Sequence, residues 1–159
     1  MQSGLRKIVE VKRISKRGSM LLVKTRIGPS TINGTGLFAD QFIPQGSVIW
    51  KFTPGFDLRV TPEELKPLSE PARESFLKHC YVSRRSTHYV LCFDNARFFN
   101  HSDHPNVLDS DSPESEEGID IAARDIYPGE ELTCNYQDFD LAYIGPDTPF
   151  PETALRVES

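Results

Sequence analysis

Arg97-Phe98-Phe99-Asn100-His101-Ser102-Asp103-His104-Pro105-Asn106 and, about 30 residues later, Glu130-Glu131-Leu132-Thr133-Cys134-Asn135-Tyr136 are the two stretches on which the reading of this chain turns. Each packs aromatics and amides beside turn residues, the first with histidines as well, which is odd for a surface loop. Side chains of this kind, held close together, read as a buried polar turn whose groups satisfy backbone donors and acceptors. A third piece, Gly34-Thr35-Gly36-Leu37-Phe38-Ala39, lies upstream.

Several chemistries are excluded by spacing. His101-Ser102-Asp103 holds the three residue types of a hydrolase triad, but consecutive side chains diverge and form no ordered relay. No G-x-S-x-G elbow is present. His79, Cys80, His88, Cys92, His101 and His104 match no common zinc spacing. Gly34 to Ala39 formally fits the dinucleotide fingerprint, with Asp57 about 20 residues on. That mechanism requires a helix directly after the glycines. Pro44 and Gly46 follow within ten residues and leave no room for one. The alternatives for the segment are a plain hairpin or bulge turn, or a close backbone approach to a cofactor, which glycine permits.

At 159 residues the chain is read as a single domain, 1–159, with enough length to bury a core. The net charge of -5 argues against nucleic acid as a partner for the whole molecule. Residues 5–26 are strongly basic, whereas 103–120 carry seven acids and no Lys or Arg. The acidic run is either a solvated face or a rim that attracts a basic substrate. Three cysteines without C-x-x-C spacing fit a reducing compartment. No apolar run near the start suits a signal peptide, and none approaches a membrane span. The expected location is therefore the cytoplasm.

The pattern along the chain predicts strands over 5–14, 20–27, 47–52, 88–94, 118–123 and 132–136. A loop is expected over 30–36, and an acidic low-complexity stretch over 109–117. Thr61 caps a short helix opened by Pro62. A helix over 69–80 carries Ala72, Phe76, Cys80 and Leu77 on one face. A helical or turn segment is expected over 95–100, and an irregular Pro-rich tail from Gln137. The sum is a mainly β fold, a β-rich α+β domain of short strands in small sheets with one or two short helices.

Taken in order, the glycine turn, the Arg97–Asn106 stretch and Ala123-Arg124-Asp125-Ile126-Tyr127-Pro128-Gly129-Glu130-Glu131-Leu132-Thr133 with Tyr136 resemble the signature of SET-domain protein-lysine methyltransferases. The resemblance covers roughly residues 30–140 and is similar to the minimal, bacterial-type members. It implies a SET fold with a C-terminal pseudoknot, and S-adenosyl-L-methionine as methyl donor with S-adenosyl-L-homocysteine as product. Tyr136 falls on the family's catalytic tyrosine. Gly34, Gly36, Leu37, Phe38, Arg97, Phe98, Asn100, His101 and Tyr136 fall where the family binds its cofactor. A second catalytic tyrosine is expected before the Arg97 segment; Tyr89 is chosen and Tyr81 is the alternative. Tyr81, Tyr89, Cys134, Phe139 and Tyr143 are the candidates for the lysine channel. Phe139, Tyr143 and Phe150 either complete that channel or anchor the tail.

The departures from the family pattern carry their own implications. Asp103 stands where many members place a zinc-binding Cys, and no cysteine follows Cys134, so no metal is expected. Cys134 replaces an aromatic, which implies a roomier channel and bears on how many methyl groups a lysine receives. Asn135 replaces an Asp. The implied partner is a basic, lysine-bearing protein, histone-like or ribosomal, with no direct nucleic acid and no membrane; a homodimer is left open. If the source is a bacterial effector, the host nucleus is a second location. A cofactor- or protein-binding module with little turnover is the alternative function.

Overall fold

The computed structural model describes residues 20–143. The expected strand over 5–14, Phe150 and the tail prolines lie outside them. Among the described residues, short strands form four small sheets. One is an antiparallel sheet in the order β1 (Met20–Leu21), β4 (Val48–Lys51), β10 (Ser115–Ala122), β9 (Val107–Ser112). A second sets β7 (Tyr89–Leu91) between β5 (Leu58–Val60) and β6 (Tyr81–Val82). A hairpin joins β2 (Thr25–Pro29) to β3 (Thr35–Ala39), and β8 (Asn100–His101) pairs in parallel with β11 (Thr133–Cys134). Helices are few and short: α1 (Pro62–Leu65), α2 (Glu70–His79), α3 (Tyr136–Phe139) and a 3-10 turn, Asn95–Phe98. The strand-rich architecture is the one expected, and no helix follows the glycines directly.

Local chemistry explains most boundaries. Thr61 and Glu64 form a reciprocal capping box around Pro62, satisfying donors that the first helical turn leaves open. The expected strand over 20–27 is split: Leu22 still donates to the Ile49 carbonyl of β4 at 2.8 Å, but Lys24 donates to the Gln41 side chain at 2.8 Å, so the pairing with β4 ends after Leu22. On α2 only Leu77 is fully buried and Ala72 is exposed, so the expected stripe is narrower than its spacing suggested. The tail does not turn irregular at Gln137, because Tyr136–Phe139 closes one helical turn capped by Asn135.

The acidic stretch is the largest difference. Residues 107–122, expected as an acidic low-complexity stretch over 109–117 followed by a strand over 118–123, form the β9–β10 hairpin. Its acids are matched by cations from elsewhere: Lys51 meets Glu114, Arg59 meets Glu116 and Glu117, and Arg85 meets Asp109 and Asp111. Gly118 makes room for Arg85, since a Cβ there would sit 2.7 Å from the guanidinium carbon and from the Ser110 carbonyl. Its φ of +77° also suits glycine. Main-core side chains Leu37, Ile43, Ile49, Val90, Val107, Ile126 and Leu132 are sealed at 0% exposure. Each contributes on the order of 1.5–3 kcal/mol of hydrophobic stabilisation. A satellite cluster of Leu65, Leu77 and Tyr89 fastens the helices to the β5–β7–β6 sheet.

Candidate active site

The two diagnostic stretches meet. Residues 129–132 bond to β3: Gly129 donates to Ala39, Ala39 to Glu130, and Leu132 to Leu37. The chain then continues as β11 beside β8, and Ser102 donates to the Cys134 carbonyl at 2.9 Å. Asn106 locks the crossing from the other side, donating to the Glu131 carbonyl at 2.8 Å and accepting from the Thr133 amide at 2.9 Å. The late segment is thus threaded between an early hairpin and a middle segment. Asn100, 6% exposed, sits at the centre. Its amide nitrogen donates to the Asn33 and Thr35 carbonyls and to Glu131 Oε1 at 2.8 Å. Ser30 holds the same carboxylate at 2.8 and 3.0 Å. A Cβ on Gly36 would fall 2.3 Å from that oxygen, so what comes close to Gly36 is the Glu131 carboxylate.

His101 links this knot to the tail. Its Nδ1 accepts the Tyr136 amide at 3.1 Å, so Nε2 carries the proton and donates to Asp103 at 3.1 Å. Asp103 therefore orients the imidazole. The His101 ring also packs on Tyr143 and Tyr136, at centroid distances of 4.7 and 5.4 Å. The Tyr136 hydroxyl donates to the Phe99 carbonyl.

Beside the knot lies a cavity of about 410 Å³, within the size range of small-ligand sites. Tyr81, Cys134, Tyr136, Phe139 and Tyr143 line it together. Phe139 meets the Tyr81 ring edge-on at 5.0 Å and Tyr136 at 5.7 Å, while Tyr143 meets Tyr136 at 5.4 Å. The tail segment is fastened there by bonds between residues 82–84 and 137–141. Phe139 and Tyr143 thus line the cavity and anchor the tail at once.

A family model for the SET domain matches residues 34–137. The chain belongs to the SET-domain family. A solved structure with the same fold is a candidate histone methyltransferase of Plasmodium falciparum, 20% identical, with a TM-score of 0.52. The match covers 73% of this chain and 95% of that one. No curated protein matches the sequence.

Within this SET domain the expected site residues divide into two groups. Arg97, Tyr136, Tyr81, Cys134, Phe139 and Tyr143 share the cavity. Tyr89 does not: it is buried in the satellite cluster with Leu65 and Leu77, because β7 turns that side chain toward α1 and α2. The alternative, Tyr81, occupies the cavity wall instead. Leu37 is sealed in the core and its carbonyl is taken by Leu132. Phe38 lies under the Arg26 guanidinium, and Phe98 packs against His79 and under Arg97. Gly34, at φ +47°, shapes the turn whose carbonyls Asn100 holds. In this structure Gly36, Asn100 and His101 build the knot that supports the cavity.

Other lining groups were not among the expected site residues. Lys78 and His79 end α2 beside Arg97, and burial, helped by the Arg97 and Lys78 charges, holds the His79 imidazole below its usual range. Asp109, Asp120 and Asp140 form an acidic part of the lining. Burial pushes Cys80 up to about 12 and raises Cys92 and Cys134 well above the ordinary thiol range. These thiols are poor nucleophiles. Burial likewise keeps the Tyr81 and Tyr136 phenols neutral. Among the described residues, no group of three His, Cys, Asp or Glu is placed to hold a metal ion, and no helix is long and apolar enough to cross a membrane.

Proposed function

We propose that this SET domain is an S-adenosylmethionine-dependent protein-lysine N-methyltransferase. The observation that carries the reading is Tyr136: a neutral phenol on the cavity wall whose proton is committed to the Phe99 carbonyl. An oxygen that donates in this way presents its lone pairs to an incoming N–H.

The cavity suits the cofactor at its cationic part. Lys78 and Arg97 have no carboxylate partner among the described residues, which leaves them for a ligand carboxylate. Phe99 and Tyr136 offer apolar surface nearby. When bound, the cofactor supplies an electrophilic methyl group. The chain's own residues do the rest. Tyr81, Phe139 and Tyr143 surround an alkyl stem and favour a cation at their faces. Lysine starts near pKa 10.4, at about the free value, so the amine arrives as a cation and must lose a proton before it attacks. The Tyr136 oxygen and the fixed walls then aim the amine, so much of the rate comes from positioning.

The substrate class is a basic protein with an accessible lysine. Cys134 is a small side chain on the wall, which leaves room for an amine that already bears a methyl group. The test is transfer of labelled methyl from the cofactor to lysine-rich proteins. Label on lysine is the expected result. Cofactor binding without label on any protein would replace this reading with a binding module.

A further inference from the structure

Of the seven acids between 103 and 120, six have a hydrogen-bonded partner within the chain. Asp103 pairs with His101, Asp109 and Asp111 with Arg85, Glu114 with Lys51, and Glu116 and Glu117 with Arg59. Asp120 is the exception: its carboxylate has no hydrogen bond or ion pair to any described residue. It sits on β10 between the core residues Ile119 and Ile121, and so points to the other face of the sheet. That face is the cavity, which Asp120 lines.

Its neighbours sharpen the point. Asp109 is its cross-strand partner, and like charges directly opposite destabilise a sheet. Arg85 grips Asp109 with two bonds of 3.0 and 2.7 Å but reaches Asp120 only through space, without a bond. Asp120 lies close enough to Tyr81, Cys92 and Cys134 to bear on all three electrostatically. The cavity is therefore polarised. Lys78, His79 and Arg97 gather in one part, Asp109 and Asp120 in another, and Cys92 feels both Asp120 and Arg97. An uncompensated buried carboxylate is costly unless a ligand completes it.

We propose that Asp120 is the carboxylate that receives the substrate's amine cation in this cavity. The inference rests on the lysine-methyltransferase reading for its biological ligand, but the ammonium site stands on the cavity itself. The missing partner is a primary ammonium on an alkyl stem, entering past Tyr81 and Phe139. Such a cation completes the charge on Asp120 with N–H donors. Each methyl added to the nitrogen removes one donor, so this contact is strongest for the unmethylated amine. The cofactor's sulfonium is the other cation that the cavity could present. The cationic part formed by Lys78 and Arg97 favours placing the cofactor's carboxylate end away from Asp120.

The test compares the full chain with Asp120→Asn, which keeps shape and removes charge. Titration of n-butylammonium chloride, followed by NMR, should show at least about ten-fold weaker binding to the variant. S-adenosylmethionine and the neutral-sulfur S-adenosylhomocysteine should bind both proteins alike. A raised KM for a lysine peptide should accompany the loss. Equal n-butylammonium binding by both proteins overturns the proposal. So does a variant that loses only S-adenosylmethionine relative to S-adenosylhomocysteine, because the cation is then the sulfonium. If n-butylammonium needs Asp120 but no lysine is methylated, the amine site stands and the transferase reading fails. If lysine is methylated with an unchanged KM in the variant, the transferase reading stands and Asp120 has no role.

Discussion

The knot and the cavity are built from similar residues and use them in opposite ways. In the knot the amide donors have fixed protein partners: Asn100 spends its donors on Asn33, Thr35 and Glu131, and Asn106 clasps Glu131 and Thr133. In the cavity, Asp120, Lys78 and Arg97 are left without an ion-pair partner among the described residues. Satisfied polar groups hold a fold in one arrangement; unsatisfied ones at a cavity wall await a ligand. Disturbing the knot should therefore cost stability, and disturbing the wall should cost turnover.

The largest expected effect is at the wall. Tyr136→Phe removes the oxygen that aims the amine, and transfer should fall about 100-fold or more. Melting temperature should barely move; unchanged transfer would break the division. The two candidate tyrosines separate next. Tyr81→Phe should slow transfer about ten-fold, whereas Tyr89→Phe should leave it within about two-fold. Initial rates at saturating cofactor decide the matter, and the reverse order would return Tyr89 to the site.

In the knot, Gly36→Ala drives a methyl into the Glu131 carboxylate and disturbs its bonds to Ser30 and Asn100. A loss of about 2 kcal/mol in urea unfolding is expected. A neutral result would show that the carboxylate moves freely. Asp120 gives a pH-dependent effect of opposite sign. Burial holds its carboxyl well above the ordinary 3.8, with the Asp109 charge adding to it. The folded state thus binds that proton more tightly than the unfolded chain does. This contribution to stability is full below the ordinary value and is lost as pH rises toward the folded-state value. Asp120→Asn should therefore melt progressively higher than wild type as pH rises through that window, with a gap that closes at low pH. Smallest of all, Thr61→Ala breaks the capping box on α1 and should cost about 1 kcal/mol while leaving transfer unchanged.

Much of the knot was legible because it is written in local strings. Asn100 and His101 could be read as a buried polar turn, and only the family resemblance joined them to the 130–136 stretch. The fold class followed from short alternating segments bounded by Pro and Gly. The cavity wall was less legible. Alternation around Ile119 and Ile121 marks Asp120 as facing away from the core, but the pattern is the same whether that face meets water or a hollow. The acidic run looked like a solvated face or a rim because its cations, Lys51, Arg59 and Arg85, are distant in sequence. Tyr81 and Tyr89 flank one short turn on paired strands, and only the packing of α2 decides which one the cavity receives.

The central claim is that this cavity delivers a lysine amine to a methyl donor. Its most direct test is mass spectrometry of a lysine-rich protein after incubation with the full chain and S-adenosylmethionine. The account predicts methyl groups on lysine side chains and the appearance of S-adenosylhomocysteine. Cofactor bound at saturation with every lysine unmodified would contradict it.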